Sequence, residues 1–253
     1  MGRMKQILHP PYPVLAVLLS AVFFACTDDQ SFFSKNSDVD YHYGYMNPSN
    51  GDDVASQAIG TVKTRNGVRY VQLDDVSAGF VVNPSEIRDI ADGTRVYLQY
   101  RDVVYSATPD FCTDAILVEW ATPLEEGYVS ISSSAEEFSA DRLLSTDPVD
   151  IVPDWVTSLE DGFLTLHYMI SCGDKKHTFS LHASLTEPAG FYLVHDAGGD
   201  AGKTLKDGII CFRMNPDALF RDLEEGETAT LTLHYLNLDH TQKTLTFEYR
   251  SPK

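Results

Sequence analysis

Apolar residues recur at every second position along two stretches of this chain, 56–121 and 155–250, and the intervals before and between them break the pattern. Alternation of period two puts successive side chains on opposite faces of a strand, so both stretches predict β structure. In the first, Ile59–Lys63 and Val68–Leu73 flank Arg65-Asn66-Gly67, the composition of a tight hairpin turn. A third strand is expected at Gly79–Val82. Asn83-Pro84-Ser85-Glu86 then reads as a helix start, with an N-cap, a proline at the first helical position and a glutamate three residues after the cap. The short helix runs through Ile90, and Asp92-Gly93 ends it. In the fourth strand Val96, Leu98 and Tyr100 point one way, and Arg95, Tyr97, Gln99 and Arg101 the other. The fifth, Ala115–Ala121, contains Trp120. Three strands, a short helix and two more strands is the order of a small OB-type barrel.

The second stretch alternates on one side only. Leu164, Leu166, Tyr168 and Ile170 share a face, Gly173-Asp174-Lys175-Lys176 turns the chain, and His177, Phe179 and Leu181 return. Strands at Phe191–His195 and Gly208–Met214 follow, then a short helix opened by Asn215-Pro216. The last pair is the sharpest: Ala229, Leu231, Leu233 and Tyr235 oppose Leu245, Phe247 and Tyr249, with Thr230, Thr232, Thr244 and Thr246 outward. Such alternation describes two packed antiparallel sheets, an immunoglobulin-like sandwich. The predicted fold class is therefore all-β. Its expected domains are a barrel over 56–121, a connector over 122–154 and a sandwich over 155–253. The connector holds one short strand at Tyr128–Ile131 and a helix capped by Ser134 with Glu137.

Residues 1–55 follow other rules. Arg3 and Lys5 lead into a 12-residue apolar run, Val14 to Ala25, broken only by Ser20, and Cys26 follows directly. A spanning helix needs about 20 apolar residues, so this run does not anchor the chain by itself. Basic start, short apolar stretch and a small residue before cysteine form the layout of a bacterial lipoprotein signal over residues 1–25. Cys26 is then the lipidated first residue, and acyl chains tie the protein to membrane lipid. Phe23 stands where such signals usually carry an aliphatic residue. Asp28-Asp29 resembles the acidic signal that sends lipoproteins to the cell surface in one group of Gram-negative anaerobes. The expected location is the outer membrane, at the cell surface, with its periplasmic face as the alternative. Residues 26–55, rich in Asp, Asn, Ser and Gly, read as a flexible tether spanning about 30 Å as a coil.

Charge narrows the partners. The full chain has a formal net charge of −18. Removing residues 1–25 takes two basic residues and no acidic ones, which leaves −20. Phosphate backbones repel such a chain, so nucleic acid is excluded as a partner. Besides Cys26, the cysteines are Cys112, Cys172 and Cys211, and Cys172 with Cys211 is the pair to test for a disulfide. Neither zinc spacing nor a metalloprotease helix motif occurs, so no metal and no cofactor are expected. Ala197–Thr204 (AGGDAGKT) matches the loose phosphate-loop pattern and follows an apparent strand. A helix should begin at its Lys-Thr to meet phosphates, yet Asp207-Gly208 intervenes and Ile209–Phe212 reads as strand. Nucleotide is therefore not expected. His167, His182 and His234 fall on polar sides of strands and His177 on an apolar side, without a third ligand at defined spacing. Carboxylates such as Asp147, Asp150 and Asp154 lie in polar loops, and no activated-serine motif occurs. These readings predict a protein that is not an enzyme.

The stretches AIGTVKTRNGVRYVQLDD, NPSEIRDIADGTRVYLQY, FLTLHYMIS and TLTFEY resemble the NigD-like lipoproteins. The resemblance runs over nearly all of the chain after Cys26. It implies an N-terminal OB-like domain, a C-terminal β-sandwich and outer-membrane or surface attachment. The family is named for a bacteriocin-associated operon, and its activity is undefined, so only the lipidated cysteine transfers, onto Cys26. Function then rests on binding. OB barrels bind on the face of strands two and three, and Tyr70 and Gln72 on strand two share the outward parity with Tyr97 and Arg101 on strand four. Aromatics beside hydrogen-bonding groups suit a sugar ring or a peptide, so the expected partner is an extracellular glycan or protein. The alternatives are protection against a secreted toxin, or a structural place in a surface appendage.

Overall fold

The computed structural model describes residues 55–132, 146–184, 190–214, 223–224 and 226–250. The signal, Cys26, most of the tether and the helices expected at Ser134 and Asn215 lie outside them. The first five strands are β1 (Ser56–Arg65), β2 (Val68–Gln72), β3 (Ala78–Val81), β4 (Arg95–Val103) and β5 (Asp114–Pro123). They close a barrel in the order β1-β2-β3-β5-β4, with β4 returning to β1. The β1–β2 hairpin pairs Arg65 with Val68 around Asn66 (φ 53°) and Gly67 (φ 78°). Both turn residues are left-handed, the twist that matches two antiparallel strands. Val62, Val71, Val81, Val96, Leu98, Ile116 and Val118 point inward. Burying each such side chain stabilises by about 1.5–3 kcal/mol.

A single 3₁₀ turn, Pro84–Ile87, stands where the helix was expected, and its Ile87 plugs the barrel. Asn83 does not cap it with its side chain. Its Nδ2 instead donates to the Val118 carbonyl (2.7 Å) and its Oδ1 accepts from the Val118 N–H (2.9 Å), so the amide imitates a strand neighbour to β5. The Arg69 guanidinium closes the far end by donating to the carbonyls of Ile87 and Ile90.

Among the described residues ten further strands build the sandwich: β6 (Glu125–Glu126), β7 (Tyr128–Ser132), β8 (Asp150–Val152), β9 (Ser158–Glu160), β10 (Phe163–Cys172), β11 (Thr178–Ser184), β12 (Gly190–Asp196), β13 (Thr204–Arg213), β14 (Thr228–Leu236) and β15 (Gln242–Arg250). One sheet runs β6-β13-β10-β8, with β9 also on β10; the other runs β15-β14-β12-β11-β7. The interval expected to be a connector thus supplies β6, β7 and β8. β7 stands at the short strand expected at Tyr128–Ile131, whereas β6 and β8, two and three residues long, are too short for alternation to announce them. Among the described residues, the sandwich pairings β11–β7, β12–β14 and β13–β6 are parallel rather than antiparallel, as is β3–β5 in the barrel. Alternation looks alike in both orientations; direction is set by long connections that a period-two pattern does not contain. The predicted β14–β15 pair stands in register, Leu231 opposite Phe247 and Leu233 opposite Leu245. Leu164, Leu166, Ile170, Leu181, Phe191, Leu193, Ile210 and Phe212 join them in the core between the sheets.

A third apolar cluster joins barrel to sandwich. Ile59, Tyr97 and Leu124 meet Val156, Phe163, Ile209 and Cys211. Arg95 is buried among them, Lys63 pairs with Asp161, and the Asp161 N–H donates to Asp75 (2.7 Å). Cys211 faces this junction, whereas Cys172 faces the sandwich core, so their thiols occupy opposite sides of one sheet.

Candidate functional site

The four outward residues singled out above do not form one patch. Tyr70 remains on the open face of β2, paired across β3 with Phe80. Gln72 spends its amide on structure, donating to the carbonyls of Asp74 (2.8 Å) and Ser77 (3.2 Å) and so holding the β2–β3 turn. Tyr97 points out of the barrel as its parity requires, but the sandwich covers that face and leaves the ring 2% exposed. Its hydroxyl donates to Gln57 (2.5 Å), and burial pushes its pKa up to about 12. Arg101 donates to Glu119, which also accepts from Gln99. Those two donors hold the Glu119 carboxyl below its ordinary pKa. The register shift between Gln99 and Tyr100 is what brings Glu119 to them.

Around Tyr70 the structure assembles an aromatic face that the sequence pattern did not gather. Phe111, in the β4–β5 loop, meets Tyr70 edge-on with centroids 5.4 Å apart. Tyr105 of the same loop lies 5.4 Å from Phe80. Arg65, at the β1–β2 turn, sits over the Phe111 ring at 5.0 Å. Tyr105 is 48% exposed and Val104 beside it fully exposed. Strands two and three, the first turn and the last loop are the parts of an OB barrel that meet ligands. The signal for Phe80 was its outward parity next to Tyr70. Nothing in the alternation marks loop residues Tyr105 and Phe111.

The predicted histidines divide. His167 on β10 lies between two carboxylates, its Nδ1 2.7 Å from Asp154 and its Nε2 3.6 Å from Asp207. Burial alone would lower its pKa; hydrogen bonding and charge from Asp154 and Asp207 prevail and raise it to about 9. The folded value exceeds the ordinary 6.5, so the stabilisation is whole below pH 6.5 and drains away as pH rises through 9. At about 1.4 kcal/mol per pKa unit it reaches at most about 3 kcal/mol. Urea midpoints should fall between pH 6.5 and 9.5, and His167→Gln should remove most of that slope; an equal slope in the variant refutes the assignment.

His177 and His195 stack with ring nitrogens 2.8 Å apart. His195 Nδ1 donates to the Pro148 carbonyl (3.0 Å), and burial lowers its pKa. The AGGDAGKT segment forms the β12–β13 loop, and Thr204 opens strand β13 rather than a helix. Its Asp200 turns inward, accepting from the N–H groups of Gly173 (2.7 Å), Gly202 (2.9 Å) and Lys175 (3.3 Å). Those bonds hold its carboxyl well below the usual range. Among the described residues no cluster of three or more His, Cys, Asp or Glu could hold a metal ion. No helix among them is long and apolar enough to cross a membrane.

A family model, the NigD-like C-terminal beta sandwich domain, matches residues 130–249. No curated protein matches the chain. Among solved structures, a protein from Parabacteroides distasonis described as toxin-related is 21% identical with a TM-score of 0.61, covering 78% of this chain and 94% of that one. A protein from Bacteroides fragilis described as a lipoprotein is 12% identical with a TM-score of 0.55, covering 79% and 100%. A NigD-like immunity protein from Bacteroides caccae is 20% identical with a TM-score of 0.51, covering 77% and 96%. These structural likenesses show the fold.

Proposed function

We propose that the chain is a non-catalytic lipoprotein of the outer membrane, a reading supported by the match of residues 130–249 to the NigD-like C-terminal beta sandwich domain. In this reading it is held by acylated Cys26, faces the cell surface and binds an extracellular glycan or protein through the barrel. The observation that carries the binding is the continuous face of Tyr70, Phe80, Tyr105 and Phe111 with Arg65 at its edge. Aromatic rings offer large, stiff contact area with little rotamer entropy to lose. The guanidinium adds a directional donor already seated on a ring. The short apolar run ending at Cys26 supports the anchoring, as does the lipoprotein description of the Bacteroides fragilis neighbour.

The test uses the full chain, solubilised in a non-glycosidic detergent, on arrayed extracellular glycans and purified surface proteins. Tyr70→Ala and Phe80→Ala should each weaken capture at least about tenfold, a loss of about 1.4 kcal/mol. Cys26→Ala should move the protein from the membrane to the soluble fraction. Unchanged binding in both aromatic variants overturns the site, and a membrane-bound alanine variant overturns the anchor. A second reading, protection against a secreted toxin, draws on the immunity description of the Bacteroides caccae neighbour. A deletion strain no more sensitive to its neighbours' toxins refutes that reading.

A further inference from the structure

We propose that the seam between barrel and sandwich carries a second binding site, a tryptophan platform for a neutral oligosaccharide. The chain has two tryptophans, and both stand at this seam. Trp120 comes from β5 of the barrel and Trp155 from the β8–β9 loop of the sandwich. They are 36% and 49% exposed, although tryptophan is among the more deeply buried residues on average. Tyr97 lies between them, edge-on to Trp120 at 5.1 Å and tilted to Trp155 at 6.3 Å. The phenol is thus the buried floor of a three-ring surface to which both modules contribute, and ligand sites favour such domain seams.

The platform is built in advance. Val156, next to Trp155, is fully buried in the junction cluster. Asp154, on its other side, accepts from the Val156 N–H (3.0 Å) and binds His167 Nδ1 (2.7 Å), which pins the loop. Trp120 pairs across the strands with Gln99, and Gln99 with Gln57. This row sets amide groups beside the indole. Gln57 is exposed, and its Oε1 accepts from Tyr97, which turns its Nε2 end away from the phenol. Glu119 and Arg101 extend the polar edge.

The chemistry points to sugar. A pyranose has a flat C–H face that lies on an exposed indole, and a rim of hydroxyls that bonds amides and carboxylates. A hydrophobic peptide anchor calls instead for a desolvated pocket at the centre of an interface. The charges at the edges are paired, Glu119 with Arg101 and Asp154 with His167, so the long-range field is that of a chain with net charge −18, which repels polyanions and leaves a neutral sugar as the ligand. This site occupies β4, β5 and the sandwich, apart from the β2–β3 face, and does not rest on the reading proposed above.

Both tryptophans report on it directly. The full chain in a non-glycosidic detergent is titrated with neutral hexaoses of the glucan, xylan, mannan and chitin series. The expected result is a saturable change in tryptophan fluorescence for at least one series, with Kd below about 1 mM. Trp155→Ala, in a surface loop, should weaken binding at least about tenfold while circular dichroism and the cooperative melt persist, and Trp120→Ala should do the same. Tyr70→Ala should leave this signal intact, which separates the site from the barrel face. No saturable change with any of the four series overturns the proposal. So does binding that survives both tryptophan variants, or polygalacturonate binding as tight as the neutral sugars.

Discussion

Arg95→Ala should cost the protein about 3 kcal/mol and split its melting into two transitions, one for each module. Arg95 starts β4 on the outer face of the barrel, a position where an arginine ordinarily keeps its head in water. Here the sandwich closes over it and leaves 1% of it exposed. Its Nη1 donates to Thr61 of the barrel (3.1 Å) and its Nε to Thr165 of the sandwich (3.4 Å). Glu160 lies 4.0 Å away, and the Phe163 ring lies 5.7 Å from the guanidinium carbon. Burial lowers the pKa of Arg95 and raises that of Glu160, while their mutual attraction opposes both shifts. Removing one partner of a buried charged pair costs about 3–5 kcal/mol. Glu160 is 37% exposed and keeps some water, which places the loss at the lower end. A chain of this size loses about 2–4 °C of Tm per kcal/mol, so calorimetry should show a fall of about 6–12 °C. Arg95→Met keeps the volume and the apolar stem and should lose less. An unchanged single transition in the alanine variant would mean that the apolar cluster alone holds the modules together.

Arg95 also marks where reading the chain residue by residue succeeds and where it stops. Alternation is a local signal with two values, inward or outward. It was sufficient for Val96 and Leu98 in the barrel interior, and for the β14–β15 pair, because each faces one core made by its own stretch of chain. Outward positions are decided by what another module covers. Tyr97 and Arg95 are outward in parity and buried in fact, whereas Tyr70 with the same parity stays open. Gln72 and Arg101 are legible as polar, but nothing near them in sequence shows that their hydrogen bonds are already taken. Their partners are a turn's carbonyls and a glutamate delivered by a register shift. Phe111 and Tyr105 reach the barrel face from a loop with no period at all. Both tryptophans are visible as residues, but they stand 35 positions apart in sequence, and their meeting at Tyr97 depends on the docking of two modules.

Gly202→Ala should be the most damaging single-methyl change in the sandwich, with a loss above about 4 kcal/mol, in the range reserved for steric or network failure. A Cβ at 202 would sit 1.9 Å from the Gly173 nitrogen, 2.1 Å from the Cys172 carbonyl carbon and 2.3 Å from its oxygen. All three are backbone atoms at the end of β10 and the start of its turn to β11, so no rotamer change relieves the clash; the β12–β13 loop must lift away. Lifting breaks the bonds from Gly173, Lys175 and His177 to Asp200, and the one from the Ser171 hydroxyl to the Gly202 carbonyl (2.9 Å). It also withdraws the end of a chain that runs through His177 and His195 to Pro148. The glycines of AGGDAGKT therefore have a structural reason of their own: one of them lets two backbones touch, and the aspartate beside it ties down the turn. Ala201→Ser, at the exposed neighbouring position, should change stability by less than about 0.5 kcal/mol and serves as the control. Urea denaturation of the two variants side by side checks the claim. A Gly202→Ala protein as stable as Ala201→Ser would show that the loop has room the structure denies it.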